Sequence, residues 1–470
     1  MRSLQTDRQP APAAQKASLR EFSSGYGAII LIIAHAPLGL IAHQSELLAT
    51  IHAIAALGVG LSIALSGRNI HRVAYVAAYI AGSEVLWRMS KADINWEYGK
   101  YSLVVIMIIA LLRRGNLKVP ALPFIYFMLL IPSSAVTLMA MDLNDARKEL
   151  SFNLSGPLAL MVCAWFFYNL RLTAEQLRRA FLSVIAPLVG VAAVTLFGTV
   201  TTEEIAFSSG SNLATSGGFA PNQVSAALGM GVLVALLCVL DKTAKKSARV
   251  FALLLMIFLA VQSALTFSRG GLYNAAGAVV LASFYLLRDR RSRTSFIIVA
   301  AVIFVVGNYI VIPQLNEFTD GAFQARFEDL DLTKRDKYAL SNLEQWMQNP
   351  ILGAGPGQSW VLAHTEFSRL PAEHGLFGFI ALLLLLIFAA RIVMRTRNVR
   401  DKAVVVALIA WSLLFMLNAA MRLVAPSFMF GLACVTLAPE AAAVRLAIAR
   451  RVRTSGWTVL TPSRFARRTM

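Results

Sequence analysis

Charge is what this 470-residue chain has least of. Only 15% of its residues are Asp, Glu, Lys or Arg, against about 25% in a soluble globular protein. That shortage, with 57% hydrophobic residues, excludes an ordinary soluble domain. Cysteine is nearly absent. Cys163, Cys238 and Cys434 are the three, all inside apolar runs, which excludes a disulfide framework and any metal-ligand spacing. The sequence has no internal repeat and no low-complexity tract. Gly353-Ala354-Gly355-Pro356-Gly357 reads as a flexible turn, and it lacks the Lys-Ser/Thr ending of a phosphate-binding loop. The acidic residues match no calcium loop. Neither a nucleotide, a metal nor any other cofactor is expected. Residues 1–24 are polar and lack the apolar centre of a cleavable signal peptide, so they read as a disordered cytoplasmic tail.

What the chain does have is apolar runs. Fourteen fall near 25–42, 47–65, 70–87, 100–112, 120–140, 154–170, 180–199, 223–240, 250–267, 271–287, 294–312, 374–394, 403–420 and 424–444. Most reach, or nearly reach, the ~20 residues that cross a hydrocarbon core as a helix. In lipid each backbone group must be satisfied within its own segment, so the runs are helices and not open sheets. The fold class that follows is an all-α, polytopic transmembrane bundle of 12 to 14 spans with one large, partly helical loop. With the N-terminus cytoplasmic and the loops alternating, the cytoplasmic side collects 32 of the 44 Lys and Arg. That asymmetry is the positive-inside signature and puts both termini in the cytoplasm. It accounts for the net charge of +19 as topology plus attraction to anionic headgroups. No nucleic-acid partner is expected. The resulting division is a tail at 1–24, a bundle at 25–312, an outer loop at 313–373, C-terminal transmembrane helices within 374–444 and a basic cytoplasmic tail at 445–470.

The outer loop, and the short outer turns, hold the residues that could carry chemistry. Arg269 lies in Phe267-Ser268-Arg269-Gly270-Gly271. A snorkelling arginine at a helix end is one reading. The other notes that two glycines leave the backbone bare for a ligand at the next helix N-terminus, a favourable place for phosphate. Arg326 either pairs with Asp329, Asp331 or Asp336 as an exposed salt bridge or faces an anion. A helix is expected over Lys334–Gln348, with Leu340, Leu343 and Met347 on one face and Asn349-Pro350 ending it. Arg335 then sits in its first turn, where the helix dipole disfavours a cation unless an anion meets it. His364 is either a solvated loop residue or a general base, with Glu366 placed to orient its ring.

These residues, taken in order, resemble the O-antigen ligase and polysaccharide polymerase superfamily. The resemblance covers Phe219 to Gly378. It rests on Phe219-Ala220-Pro221-Asn222, on Ser268-Arg269-Gly270-Gly271, and on Arg326 with Leu330. It continues in Arg335 before the amphipathic helix, Asn349-Pro350-Ile351-Leu352-Gly353-Ala354-Gly355, and His364 ahead of Gly375-Leu376-Phe377-Gly378. Thr365, Arg369 and Pro371 depart from the usual pattern. The resemblance implies a metal-independent glycosyltransferase of the bacterial inner membrane, working in surface polysaccharide assembly. Its donor would be an undecaprenyl-pyrophosphate-linked glycan. Its acceptor would be lipid A core for a ligase, or a second lipid-linked glycan for a polymerase, and the sequence leaves that choice open. Arg269, Arg326 and Arg335 would bind the pyrophosphate, and His364 with Glu366 would be catalytic. Membrane lipids would be the remaining partner. The alternative is a polytopic secondary transporter. It is disfavoured because no repeat is found and most charges stand at helix ends or in one loop.

Overall fold

The computed structural model describes residues 26–67, 69–115, 118–208, 210–328, 335–361 and 365–438. Its helices, in chain order, begin with α1 (Tyr26–Ile33), α2 (His35–His43), α3 (Glu46–Ser66), α4 (Ile70–Met89) and α5 (Tyr98–Arg114). Next come α6 (Ala121–Leu130), α7 (Ser134–Ala140) and α8 (Leu143–Tyr168). After a two-residue strand, β1 (Arg171–Leu172), follow α9 (Ala174–Thr201), α10 (Pro221–Leu240), α11 (Lys246–Leu265) and α12 (Arg269–Arg288). Then come α13 (Arg290–Val306), a π-helical turn (Gly307–Val311), α14 (Ile312–Phe318), α15 (Ala322–Glu328) and α16 (Arg335–Gln348). The chain closes with α17 (Glu366–Arg395), α18 (Val399–Ala419), α19 (Ala425–Ala433) and β2 (Thr436–Leu437). Among the described residues, ten helical segments are long and apolar enough to cross a membrane. The chain is an all-α, multi-pass membrane protein, as its composition requires.

Each apolar run falls on a helix, but not every run makes a full crossing. In the last, expected over 424–444, the helix among the described residues is the nine residues of α19. At 1.5 Å per residue that is about 13 Å, under half of a ~30 Å hydrocarbon core. It stops because Thr436 and Leu437 leave the helix to pair, in parallel, with Arg171 and Leu172. The run at 294–312 is longer than expected: helix continues through Pro313 to Phe318. The π turn just before Pro313 resets the hydrogen-bond frame, with Ile312 N–H donating to Gly307 O, so proline's missing N–H costs no regular bond. This Ser292–Phe318 segment has only 6% of its apolar window buried by protein. Ile298, Phe304 and Ile310 are among its exposed apolar side chains, and lipid is the medium that covers them.

Hydrogen bonds sort the helix ends into two groups, as the alternation of loops demands. At one end Arg113 donates to Leu65 O, Arg114 to Asn169 O, and Arg178 and Arg400 to Asp241. This is the basic end. At the other, Asp93 N–H donates to Thr50, Arg88 to Gln223, and Thr137 to Pro356 O. That end carries α15 and α16 and is called the loop end. Helices meet through small residues, as in other membrane bundles. A Cβ on Gly271 of α12 would lie 1.9 Å from Ser225 O of α10, and one on Gly229 would lie 2.2 Å from Gly271 O. Those two backbones are in contact.

The turn at Gly353–Gly357 is not a flexible connector. Gly353, Gly355 and Gly357 have φ of 72°, 94° and 82°, a region closed to most side chains. The turn wedges between helices. Added Cβ atoms would meet Glu373 backbone at 2.3 Å, Thr137 at 2.6 Å and Glu149 at 2.4 Å respectively. It closes on a break inside α17, where Gly375 has φ 59° and ψ −140°. Ala354 and Gly355 N–H groups donate to Ala372 and Glu373 carbonyls, each at 2.9 Å, and Leu376 N–H donates back to Pro350 O at 2.8 Å. The sequence reading had the glycines right as a turn and wrong as a flexible one. What it missed is that the broken helix offers carbonyls that only this turn reaches.

Candidate functional site

At the loop end, α10, α12 and α15 converge on the turn Phe267-Ser268. Phe267 has φ 57° and is fully buried between aromatic rings. It stacks on Phe207 at 5.3 Å and meets Phe323 of α15 edge-on at 6.4 Å. That packing explains why a bulky residue holds a left-handed backbone. Arg326, buried in α15, donates from Nε to Phe267 O at 3.1 Å. Two residues on, half-buried Arg269 opens α12. The structure therefore brings two of the expected arginines to one turn. Arg335 is the first residue of α16, and its side chain lies outside the described residues. His364 lies outside them altogether.

The two glycines after Arg269 behave differently from one another. Gly270 has open space around its Cβ position, as expected for a bare backbone. Gly271 does not serve a ligand. It presses against Ser225, whose Oγ accepts from Gly271 N–H at 3.2 Å and donates to Ser268 O at 2.7 Å. One of the free donors at the start of α12 is thus consumed by helix packing.

From this turn a polar row runs inward. Ser268 Oγ donates to Asn222 Oδ1 at 2.7 Å. The neighbouring Gln223 accepts at Oε1 from Arg88 Nη1 at 2.8 Å. Asn222 and Gln223 line a small pocket of about 110 Å³ with Asn418 and Arg422. Asn418 donates to Asn274 of α12 at 2.6 Å. Arg88 is almost wholly engaged. It pairs with Glu84 at 2.7 Å, donates to Trp96 O and Arg422 O, and lies 4.1 Å beneath the Trp96 ring. Glu84 in turn accepts from Val424 N–H at 2.6 Å. The Arg88–Glu84 pair thereby fixes the chain turn that carries Arg422. Burial, and then the nearby Arg369 charge, lower the Arg422 pKa. An incoming anion would relieve both effects.

A second charged cluster holds the start of α17. Arg369 donates from Nε and Nη2 to the two oxygens of Glu366, at 3.1 and 2.6 Å. Its Nη1 donates to Glu373 at 2.7 Å and to Asn153 at 2.9 Å. All three charged side chains are buried. Glu366 also accepts from Met421 N–H at 3.3 Å, so both clusters grip the same Ala420–Val424 turn. Ser359 donates to Glu373 at 2.9 Å. The carboxylate expected to orient His364 thus has both oxygens on Arg369. His374, next to the helix break, is buried with Nδ1 on Ser133 Oγ.

Reading the sequence missed Arg88, Arg369, Glu373 and Arg422 as members of this region. Glu84, Lys100, Arg369 and Glu373 do stand near helix ends, as expected, but they are buried there, which the sequence reading did not show. A signal was present. Glu84 and Arg88 are four apart on one helical face, and Glu366, Arg369 and Glu373 are spaced three and four apart, the geometry of intrahelical ion pairs. An ionisable side chain within an apolar helix is costly unless partnered, so such spacing marks where partners had to be supplied. No protein-family model matches the chain, and no curated protein matches it.

Proposed function

We propose that the protein is an integral-membrane glycosyltransferase of the O-antigen ligase and polysaccharide polymerase type. It would move a glycan from an undecaprenyl-pyrophosphate carrier to an acceptor hydroxyl at the periplasmic face of the bacterial inner membrane. The observation that carries this reading is the meeting of Arg326 and Arg269 at the Phe267-Ser268 turn. Through Asn222 and Gln223 that turn connects with Arg88 and Arg422. Guanidinium forks suit phosphate oxygens, and a row of them suits a leaving group with two phosphates. In the step itself the bond between the sugar C1 and the pyrophosphate oxygen breaks, and its electron pair leaves with the pyrophosphate. The acceptor oxygen bonds to C1, and its proton passes to His364. Arg269, Arg326 and Arg335 would stabilise the charge that develops on the leaving group. The apolar surface of the bundle gives the polyprenyl chain a place in lipid while the glycan stays in water.

The test is biochemical. Purified protein is given a lipid-linked glycan and an acceptor, and chain transfer is followed with release of the lipid pyrophosphate. Product that depends on the protein and survives chelation of divalent metals supports the reading. Failure to transfer to either lipid A core or a second lipid-linked glycan would remove it. In cells, deletion should leave lipid-linked glycan accumulating and deplete surface polysaccharide.

The transporter alternative has one observation in its favour, the buried ionisable side chains. However, Lys100 donates to Ser155 Oγ at 3.2 Å, and the buried carboxylates are tied up in ion pairs. Glu84 pairs with Arg88, and Arg369 pairs with both Glu366 and Glu373. Each pair fastens a chain turn, which is a structural use of charge.

A further inference from the structure

A sizeable cavity lies away from the candidate site, at the basic end. It has a volume of about 720 Å³ and is framed by the ends of α9, α10, α12, α17 and α18 and by residues 435–438. Its lining is of two kinds. Leu177, Phe181, Leu237, Leu286, Val404 and Val435 make an apolar wall. Arg178, Arg395, Arg397 and Arg400 make a cationic rim, against which stand only Asp241 and Asp401.

The rim is rigid. Asp241 is shared by Arg178 at 2.7 Å and Arg400 at 3.0 Å, so two guanidinium groups are fixed side by side. Burial works against the Asp241 charge, but hydrogen bonds from Thr243 and Arg178 outweigh it and hold the carboxyl below the usual range. That aspartate therefore cancels one arginine and no more. Arg395 is pinned by Cys434 O at 3.1 Å and by the Tyr168 ring at 4.5 Å. Arg397 is exposed at the rim. Two positive charges remain in excess. A preorganised cation cluster next to an apolar wall, at the water-facing end of a membrane bundle, matches one kind of ligand. That ligand carries a phosphate and an acyl chain on the same molecule.

We infer that this cavity binds an anionic phospholipid, with its phosphate on the Arg178–Arg400–Arg397 rim and an acyl chain along the wall formed by Phe181, Leu237 and Val404. The site is separate from the transfer reaction and stands or falls without it.

Protein reconstituted in mixed phosphatidylglycerol and phosphatidylcholine nanodiscs, then extracted gently, is examined by native mass spectrometry for retained lipid. Phosphatidylglycerol should be enriched over its bulk share. Arg397→Gln, an exposed change, should reduce that enrichment about fivefold, the worth of one arginine near an anionic surface. Arg400→Gln should reduce it further, with thermal unfolding as the check that the bundle is intact. A photocrosslinking side chain at Val404 should capture phosphatidylglycerol. Retained lipid that mirrors the bulk, and is unmoved by Arg397→Gln, would overturn the inference. So would millimolar inorganic phosphate displacing the lipid completely, since the wall would then add nothing. Capture of residues 439–470 from Val404 would assign the cavity to the chain's own C-terminal segment instead.

Discussion

Arg369 departs from the resemblance, and the structure gives it a dense set of buried partners. Three of its nitrogens serve two carboxylates and one amide. Removing it would strand two buried carboxylates. Arg369→Met is expected to lower stability by about 3–5 kcal/mol, read as a loss of folded protein in detergent on heating. Combining it with Glu366→Gln and Glu373→Gln should restore part of that loss, because no buried charge is then left alone. A milder effect of the single change than of the triple would refute the pairing. The nine-residue stretch from Glu366 to His374 shows why this was illegible. Spacing reveals which side chains share a face, but it does not say that the face is covered. In the proposed function His364 acts only in the chemistry. His364→Ala should cut transfer by about 10²–10⁴-fold while the melting behaviour and donor binding stay as they were. Transfer within a factor of about two of the parent would return His364 to an ordinary loop residue.

At the scale of elements, sequence and structure agree best where a pattern is local. The helix expected over Lys334–Gln348 is observed over Arg335–Gln348, since its periodicity, its first turn and its Asn349-Pro350 stop are all written in adjacent residues. They agree least where an element depends on a distant partner. The glycine turn reads as loose until the carbonyls of Ala372 and Glu373 are set beside it, and α19 reads as a full span until β1 is set beside β2. The pair Gly270 and Gly271 makes this testable within one motif. Gly270→Ala should be nearly silent for stability, with no atom within 4 Å of the new methyl. Gly271→Ala would drive a methyl into Ser225 O and force α10 and α12 apart. Overpacking of this kind costs about 1–3 kcal/mol, and here it also tilts the turn that carries Arg269. Melting temperature and transfer rate should both fall for Gly271→Ala. Equal behaviour of the two variants would mean that the helices are not in backbone contact.

For the whole molecule, lipid replaces water around most of the surface, and composition alone was enough to reveal it. The side of the membrane that each end faces rests on arginine and lysine counts. Reporters fused after Gly321 and after Arg397 should read opposite sides, the first periplasmic and the second cytoplasmic. If they agree, a crossing between them has been miscounted. The exposed helical segment Ser292–Phe318 adds a property of its own. Its 27 residues extend to about 40 Å, longer than an average hydrocarbon core. Little protein fixes its inclination, so the bilayer does. α15, and Arg326 with it, follows the far end of that segment, where Leu315 and Phe323 pack against Phe267. Thinner membranes would lay the segment down and thicker ones would stand it up, drawing Arg326 toward or away from the Phe267 carbonyl. Transfer activity in vesicles of graded acyl length should therefore pass through an optimum. Under the proposed function, turnover would then carry a record of how thick a membrane the protein works in.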